Sequence, residues 1–202
     1  MKTLSIIINA FILFAAFTPA TTGYSVGDKA MDFKLKNIDG KMVSLADYKT
    51  AKGFIVVFTC NHCPFAVAYQ DRIIALDKKY SKLGYPVIAI NSNDVTQVPA
   101  DDFENMQKRA KEKKFTFPYL LDATQEIATT YGATKTPHVF VLQKSDADLI
   151  VKYIGAIDDN SEDVKLVKEK YVENAVDALL AGKTVTVPFT KAIGCGIKWK
   201  QS

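Results

Sequence analysis

Phe54-Ile55-Val56-Val57-Phe58-Thr59-Cys60-Asn61-His62-Cys63-Pro64 joins a continuous apolar run to the start of an amphipathic segment. Five apolar residues in a row are the pattern of a strand buried on both faces. Beyond the cysteines, Ala66, Tyr69, Ile73, Leu76, Tyr80 and Leu83 recur at three- and four-residue steps, which is one face of a helix. A Cys-x-x-Cys pair at such a junction sets its first sulfur against a helix N-terminus. Unpaired N–H groups and the positive end of the macrodipole there favour a thiolate over a thiol. The thiolate is the nucleophile of disulfide exchange, and a second cysteine three residues on is placed to resolve a mixed disulfide. The two-residue gap closes too small a ring to constrain the unfolded chain much, so the pair reads as functional and not as a structural staple.

Working outward, the chain has 202 residues, 48% of them hydrophobic, enough for one domain with a full core. The net charge of +4 has no basic run behind it. Lys108-Arg109-Ala110-Lys111-Glu112-Lys113-Lys114 interleaves an acid with its lysines, the pattern of a solvated face, and a nucleic-acid partner is not expected. At the N-terminus, Lys2, the apolar stretch Leu4 to Phe17 and Thr18-Pro19-Ala20 follow the plan of a secretory signal peptide over residues 1–20. Export to the periplasm or another extracytoplasmic compartment is expected, with membrane attachment only if that segment stays uncleaved. Disulfides persist and must be made, broken or shuffled in such compartments.

Phe33 and Leu35, the Asp39-Gly40 turn, then Met42, Val43 and Leu45 predict a hairpin ahead of the main fold. Pro86 to Asn91 reads as a second buried strand after a helix stop at Gly84. A helix is expected from about Asp101 to Lys114, with acids in its first turn and lysines in its last. Asp122 and Gln125 suggest a capping box for a short helix ending at Gly132. Two strands follow, His138 to Gln143 and Leu149 to Ile154, and a last helix carrying Val164, Val167, Tyr171, Ala175 and Leu179 stops at Gly182. Alternating strands and helices argue for an α/β sheet with an antiparallel pair at one edge. Lys183 to Ser202 reads as an irregular tail packed on a domain spanning residues 24–182.

Two motifs, Cys60-Asn61-His62-Cys63 after the buried strand and Thr136-Pro137-His138 before the fourth, carry a resemblance. Over roughly Val26 to Gly182 the chain resembles the thioredoxin-like superfamily, in particular secreted redoxins of the AhpC/TSA and TlpA-like branch. The resemblance implies a thioredoxin-like α/β fold, with a central mixed sheet flanked by helices and an N-terminal β-hairpin extension. It also implies a cis bond at Pro137. A cis X–Pro bond presents the preceding residue's N–H and C=O to an extended partner beside the reactive sulfur. Thr59, Asn61, Thr136 and His138 are accordingly expected to contact the partner.

On this reading Cys60 is the nucleophile and Cys63 the resolving thiol. His62, placed as the His before the second cysteine of DsbA-like proteins, is expected to stabilise the Cys60 thiolate. No cofactor is expected beyond a redox-active Cys60–Cys63 disulfide. The partners are protein thiols or disulfides and a membrane or soluble thiol–disulfide donor. His138 is expected to pack or bond locally and not to ligate a metal. The sequence also departs from its relatives. The buried acid of thioredoxins would fall near Phe54. The Pro and Thr of the peroxiredoxin Pro-x-x-x-Thr-x-x-Cys motif are Gly53 and Val57.

Two other functions stay open at this stage. One is a peroxiredoxin-like thiol peroxidase. The other is a copper- or zinc-binding protein using the cysteines with His62, His138 or Cys195. Cys195, the odd cysteine in Ile193-Gly194-Cys195-Gly196-Ile197, is expected as a small buried hydrophobe whose replacement leaves disulfide exchange intact.

Overall fold

The structure, a computed structural model, describes residues 23–201, so the segment expected to direct export lies outside the described residues. The first strands are β1 (Lys29–Ala30), β2 (Lys34–Asn37), β3 (Met42–Ser44) and β4 (Gly53–Phe58), followed by α1 (Pro64–Tyr80). Next come β5 (Val87–Asn91), α2 (Phe103–Lys113), β6 (Tyr119–Leu121), α3 (Glu126–Tyr131) and β7 (Lys135–Thr136). The chain ends with β8 (His138–Ser145), β9 (Asp148–Gly155), α4 (Tyr171–Leu180) and β10 (Cys195–Gly196). Eight strands form one mixed sheet in the order β1-β9-β8-β4-β5-β6-β2-β3, and β10 pairs with β7 apart from it. The hairpin at Asp39-Gly40 is present as β2–β3.

β4 is buried along its whole length, as its composition requires, and the strand period sorts its side chains. Ile55 and Val57 point into a core built with Tyr69, Ile73, Leu76 and Tyr80 of α1 and Val172, Val176 and Leu179 of α4. Phe54, Val56 and Phe58 point the other way, onto Ile127, Ala128 and Tyr131 of α3. Burying each such side chain contributes about 1.5–3 kcal/mol, so the two faces together fix the strand's register.

The same pairing places the site. β4 runs parallel to β5 and antiparallel to β8, with Phe58 opposite His138. The end of β4 therefore delivers Thr59 and Cys60 beside the start of β8, where Thr136 and Pro137 stand. Antiparallel geometry alone brings together residues about eighty positions apart.

Several expectations need correction. Leu83 leaves the α1 face: the helix ends at Tyr80, a 3-10 turn covers Ser81–Leu83, and Leu83 is exposed. Gly84 does take the left-handed stop, at φ 97°. Val164 and Val167 precede the last helix. Asp163 accepts from the Lys165 N–H and closes a separate 3-10 turn, leaving Val164 and Leu166 exposed. The helix before Lys114 begins at Phe103, where Asp102 accepts from the Asn105 N–H at 2.8 Å. Asp101 belongs to the turn before it.

The α3 capping box does not form. Asp122 accepts from Ala128 N–H at 2.9 Å, while Gln125 sits at φ 64° and turns its amide to the carbonyls of Ser92 and Lys198. The edge of the sheet beyond β9 is β1, which the sequence pattern did not reveal.

Candidate active site

Cys63 caps α1 and Pro64 opens it, so the helix starts without needing the proline's missing N–H. Both cysteines of the motif are buried, Cys60 to 1% exposure and Cys63 to 0%. The Thr136–Pro137 peptide is cis. The Thr136 hydroxyl lies 3.3 Å from Cys60 Sγ, and the Thr136 carbonyl oxygen is 3.3 Å from Cys63 Sγ. Cys63 is half of a disulfide and has no proton to donate, so that second contact is a close approach and becomes a hydrogen bond only on reduction.

The disulfide is the main departure from expectation. It joins Cys63 to Cys195, with a Cα separation of 6.0 Å, and Cys60 is the free thiol. Cys195 is thus not the isolated small hydrophobe expected from its neighbours. Its pairing partner was out of reach of any argument from local pattern, because 132 residues separate the two. β10 brings Cys195 opposite Thr136 in antiparallel register. Gly194 makes the approach feasible, since a Cβ there would collide with the Thr136 carbonyl. The edge expected to receive a partner strand is therefore occupied by the chain's own residues 195–196.

The Cys60 thiol is pushed above its ordinary pKa, contrary to the depressed value expected at a helix N-terminus. Burial is the larger cause and the Asp101 charge the second. Hydrogen bonds from Thr136 and the N–H groups of Cys63 and His62 oppose both without prevailing.

Asp101 is the residue that sequence reasoning missed. It is fully buried, and one carboxylate oxygen accepts the N–H groups of Asn61 at 2.7 Å and His62 at 3.2 Å. The other is 2.6 Å from His62 Nδ1 and accepts from Asn93 Nδ2 at 2.7 Å. The imidazole expected to serve the sulfur is instead turned onto this carboxylate. Near the motif the fold thus supplies a buried acid from a loop, although the strand position near Phe54 lacks one.

Asn61 and Thr59 are buried. Asn61 donates to the Ala100 carbonyl at 3.0 Å and accepts from the Tyr119 hydroxyl at 3.0 Å, so it braces the loop from beneath. Thr59 holds the end of β4 by donating its N–H to Ile90 at 2.8 Å. His138 is buried against Phe140, accepts from the Thr134 N–H at 3.3 Å, and is held by burial at a pKa of about 4. Donor atoms of Cys60, His62 and Asp101 lie within 4.8 Å of one another. The other donors considered for a metal are engaged elsewhere, Cys63 and Cys195 in the disulfide and His138 with Thr134.

A Cys-x-x-Cys at a strand–helix junction, facing a cis-proline loop across a mixed sheet, defines a thioredoxin-like redoxin. The chain matches the AhpC/TSA family over residues 26–172 and belongs to that family. It is 27% identical over 138 residues to the thiol-disulfide oxidoreductase ResA of Geobacillus thermodenitrificans, covering 67% of this chain and 73% of that protein. The crystal structure of an uncharacterized conserved protein from Geobacillus kaustophilus is similar at a TM-score of 0.82 and 39% identity, covering 92% of this chain and 98% of that one. The thioredoxin domain of a thiol-disulfide oxidoreductase from Bacteroides vulgatus shares the fold at a TM-score of 0.53 and 16% identity, over 66% of this chain and 91% of that one.

Proposed function

We propose that the protein is an exported thiol–disulfide oxidoreductase acting on protein thiols and disulfides. Cys60 is the nucleophile, Cys63 resolves the mixed disulfide, and the Thr136–Pro137 loop docks the partner. The observation that carries this reading is the convergence on one spot of both motif cysteines and the cis-proline loop, with the Thr136 hydroxyl 3.3 Å from the free Cys60 thiol. That hydroxyl is placed to hydrogen-bond the developing thiolate.

A partner reaches Cys60 only when residues 195–196 leave the Thr136 edge. Once the Cys63–Cys195 bond is reduced, only a two-residue ladder holds them there, and an incoming strand would remake the same backbone hydrogen bonds, so exchange needs a local shift of residues 195–196 between their anchored flanks. Among the described residues no helix is long and apolar enough to cross a membrane. Export rests on the apolar segment at residues 1–20, whose removal or retention decides between a free and a tethered protein.

Replacing Cys63 with Ser removes the resolving thiol, so partners should accumulate as mixed disulfides on Cys60. Non-reducing electrophoresis of exported, folded Cys63→Ser protein reads them out. Absence of Cys60 adducts would count against the assignment of the nucleophile.

A further inference from the structure

We propose that Cys195 is a third redox-active cysteine that takes over the disulfide from Cys60 by exchange at Cys63. The proposal rests on the oxidoreductase reading above and extends it to a residue outside the Cys-x-x-Cys motif.

Three observations carry it. First, Cys63 is bonded to Cys195 while Cys60 stands as a thiol in the same small cluster, so Cys63 is the sulfur common to both possible pairs. Second, contacts independent of the disulfide tether the segment around Cys195 on both sides. Before it, the Thr190 N–H donates to Ile154 at 3.0 Å and the Thr190 hydroxyl accepts from the Ala156 N–H at 3.0 Å. After it, Ile197 is buried and donates to the Thr134 carbonyl at 3.2 Å. The Lys198 N–H donates to Asn93 Oδ1 at 2.8 Å, and the Lys200 N–H to Gln125 Oε1 at 2.8 Å. Opening the disulfide therefore leaves Cys195 close to Cys63, at an effective concentration on the order of millimolar or above. Third, Cys60 and Cys63 are shut away, whereas Cys195 is only partly buried. In this state Cys195 is the cysteine of the three that an incoming thiol can approach.

Cys60 thiolate attacks a substrate disulfide, forming a mixed disulfide and releasing one substrate thiolate. Cys63 thiolate attacks Cys60 Sγ, forming Cys60–Cys63 and releasing the second. Cys195 thiolate then attacks Cys63 Sγ. The Cys63–Cys195 bond forms, the Cys60–Cys63 bond breaks, and Cys60 leaves as a thiolate that takes up a proton in its buried site. The last step moves no net electrons. An external dithiol donor, attacking at Cys195, returns the chain to three thiols.

The test mixes fully reduced protein with insulin as the disulfide probe, quenches in acid at successive times, alkylates under denaturing conditions and maps the bridged peptides. The expected result is an early Cys60–Cys63 bridge that decays into Cys63–Cys195, and in Cys195→Ser a Cys60–Cys63 bridge that persists. The wild-type time course stands alone if the variant folds poorly. Persistence of Cys60–Cys63 in the wild type overturns the proposal. So does a Cys63–Cys195 bridge that stays intact in dithiothreitol-treated protein still able to reduce insulin. If insulin disulfides remain intact with the wild type and with Cys195→Ser, the oxidoreductase reading itself fails.

Discussion

Asp101→Asn should move two properties of the protein in opposite directions. The carboxylate is fully buried, accepts two backbone N–H groups of the active-site loop and the Asn93 amide, and bonds the His62 ring. An amide keeps one oxygen for the Asn61 and His62 N–H groups but turns two charge-assisted bonds into neutral ones. Each change costs about 1 kcal/mol. Its NH2 then faces the Asn93 NH2, two donors without an acceptor between them, for about 1–2 kcal/mol more. The variant should lose about 3–4 kcal/mol of stability, read as a lower midpoint in urea at unchanged slope. Removing the negative charge also removes one of the two causes that hold the Cys60 thiol above its ordinary pKa. The Cys60 thiolate should therefore appear at lower pH in the variant, followed by thiolate ultraviolet absorbance in protein with Cys63–Cys195 closed. A less stable protein with a more acidic Cys60 supports the account. An unchanged or raised Cys60 titration, or unchanged stability, would refute the role given to Asp101.

The remaining predictions concern the residues around the sulfurs. His138 is held at about 4 against an ordinary 6.5, so the folded state disfavours its charged form. Its contribution is present above pH 6.5 and is lost as pH falls toward 4, by up to about 3 kcal/mol, so His138→Asn should flatten the acid limb of a stability–pH curve. An equally steep acid limb in that variant would rule this out. Gly194→Ala should destabilise by about 1–3 kcal/mol, because its Cβ meets the Thr136 carbonyl under β10; a neutral melting temperature would contradict the close approach. Stopped-flow mixing of reduced protein with hydrogen peroxide should give a rate no better than a free thiol of similar pKa, since Gly53 and Val57 stand where the peroxide-binding Pro and Thr would be. A far faster rate would favour the peroxidase reading.

The strand–loop–helix junction was legible because its signals are local. An unbroken apolar run, a three-to-four periodicity and Pro64 at a helix start each follow from backbone geometry. The cis-proline loop was legible through the resemblance, and β8 beside β4 gives it its place. Asp101 was hidden because an acid just before a helix has an ordinary explanation as a first-turn charge. Asp102 supplies that cap, and only the loop's path shows Asp101 turned inward. The Cys63–Cys195 bond was hidden for a related reason: the tail has no periodicity, and its course is fixed by contacts with Asn93, Gln125 and Thr134, none of which marks itself in sequence. The false start of the last helix at Val164 shows the opposite error. Valines at helical spacing there lie on a 3-10 turn and a link, because Asp163 closes the turn before Tyr171 begins the helix.

The central claim, that the chain exchanges disulfides through Cys60, is tested most directly by counting insulin disulfides opened per fully reduced chain, in the wild type and in Cys60→Ser. The account predicts one disulfide opened promptly per wild-type chain and far slower opening by Cys60→Ser, which keeps Cys63 and Cys195 but lacks the nucleophile. Equally prompt reduction by both proteins, or none by the wild type, would contradict it.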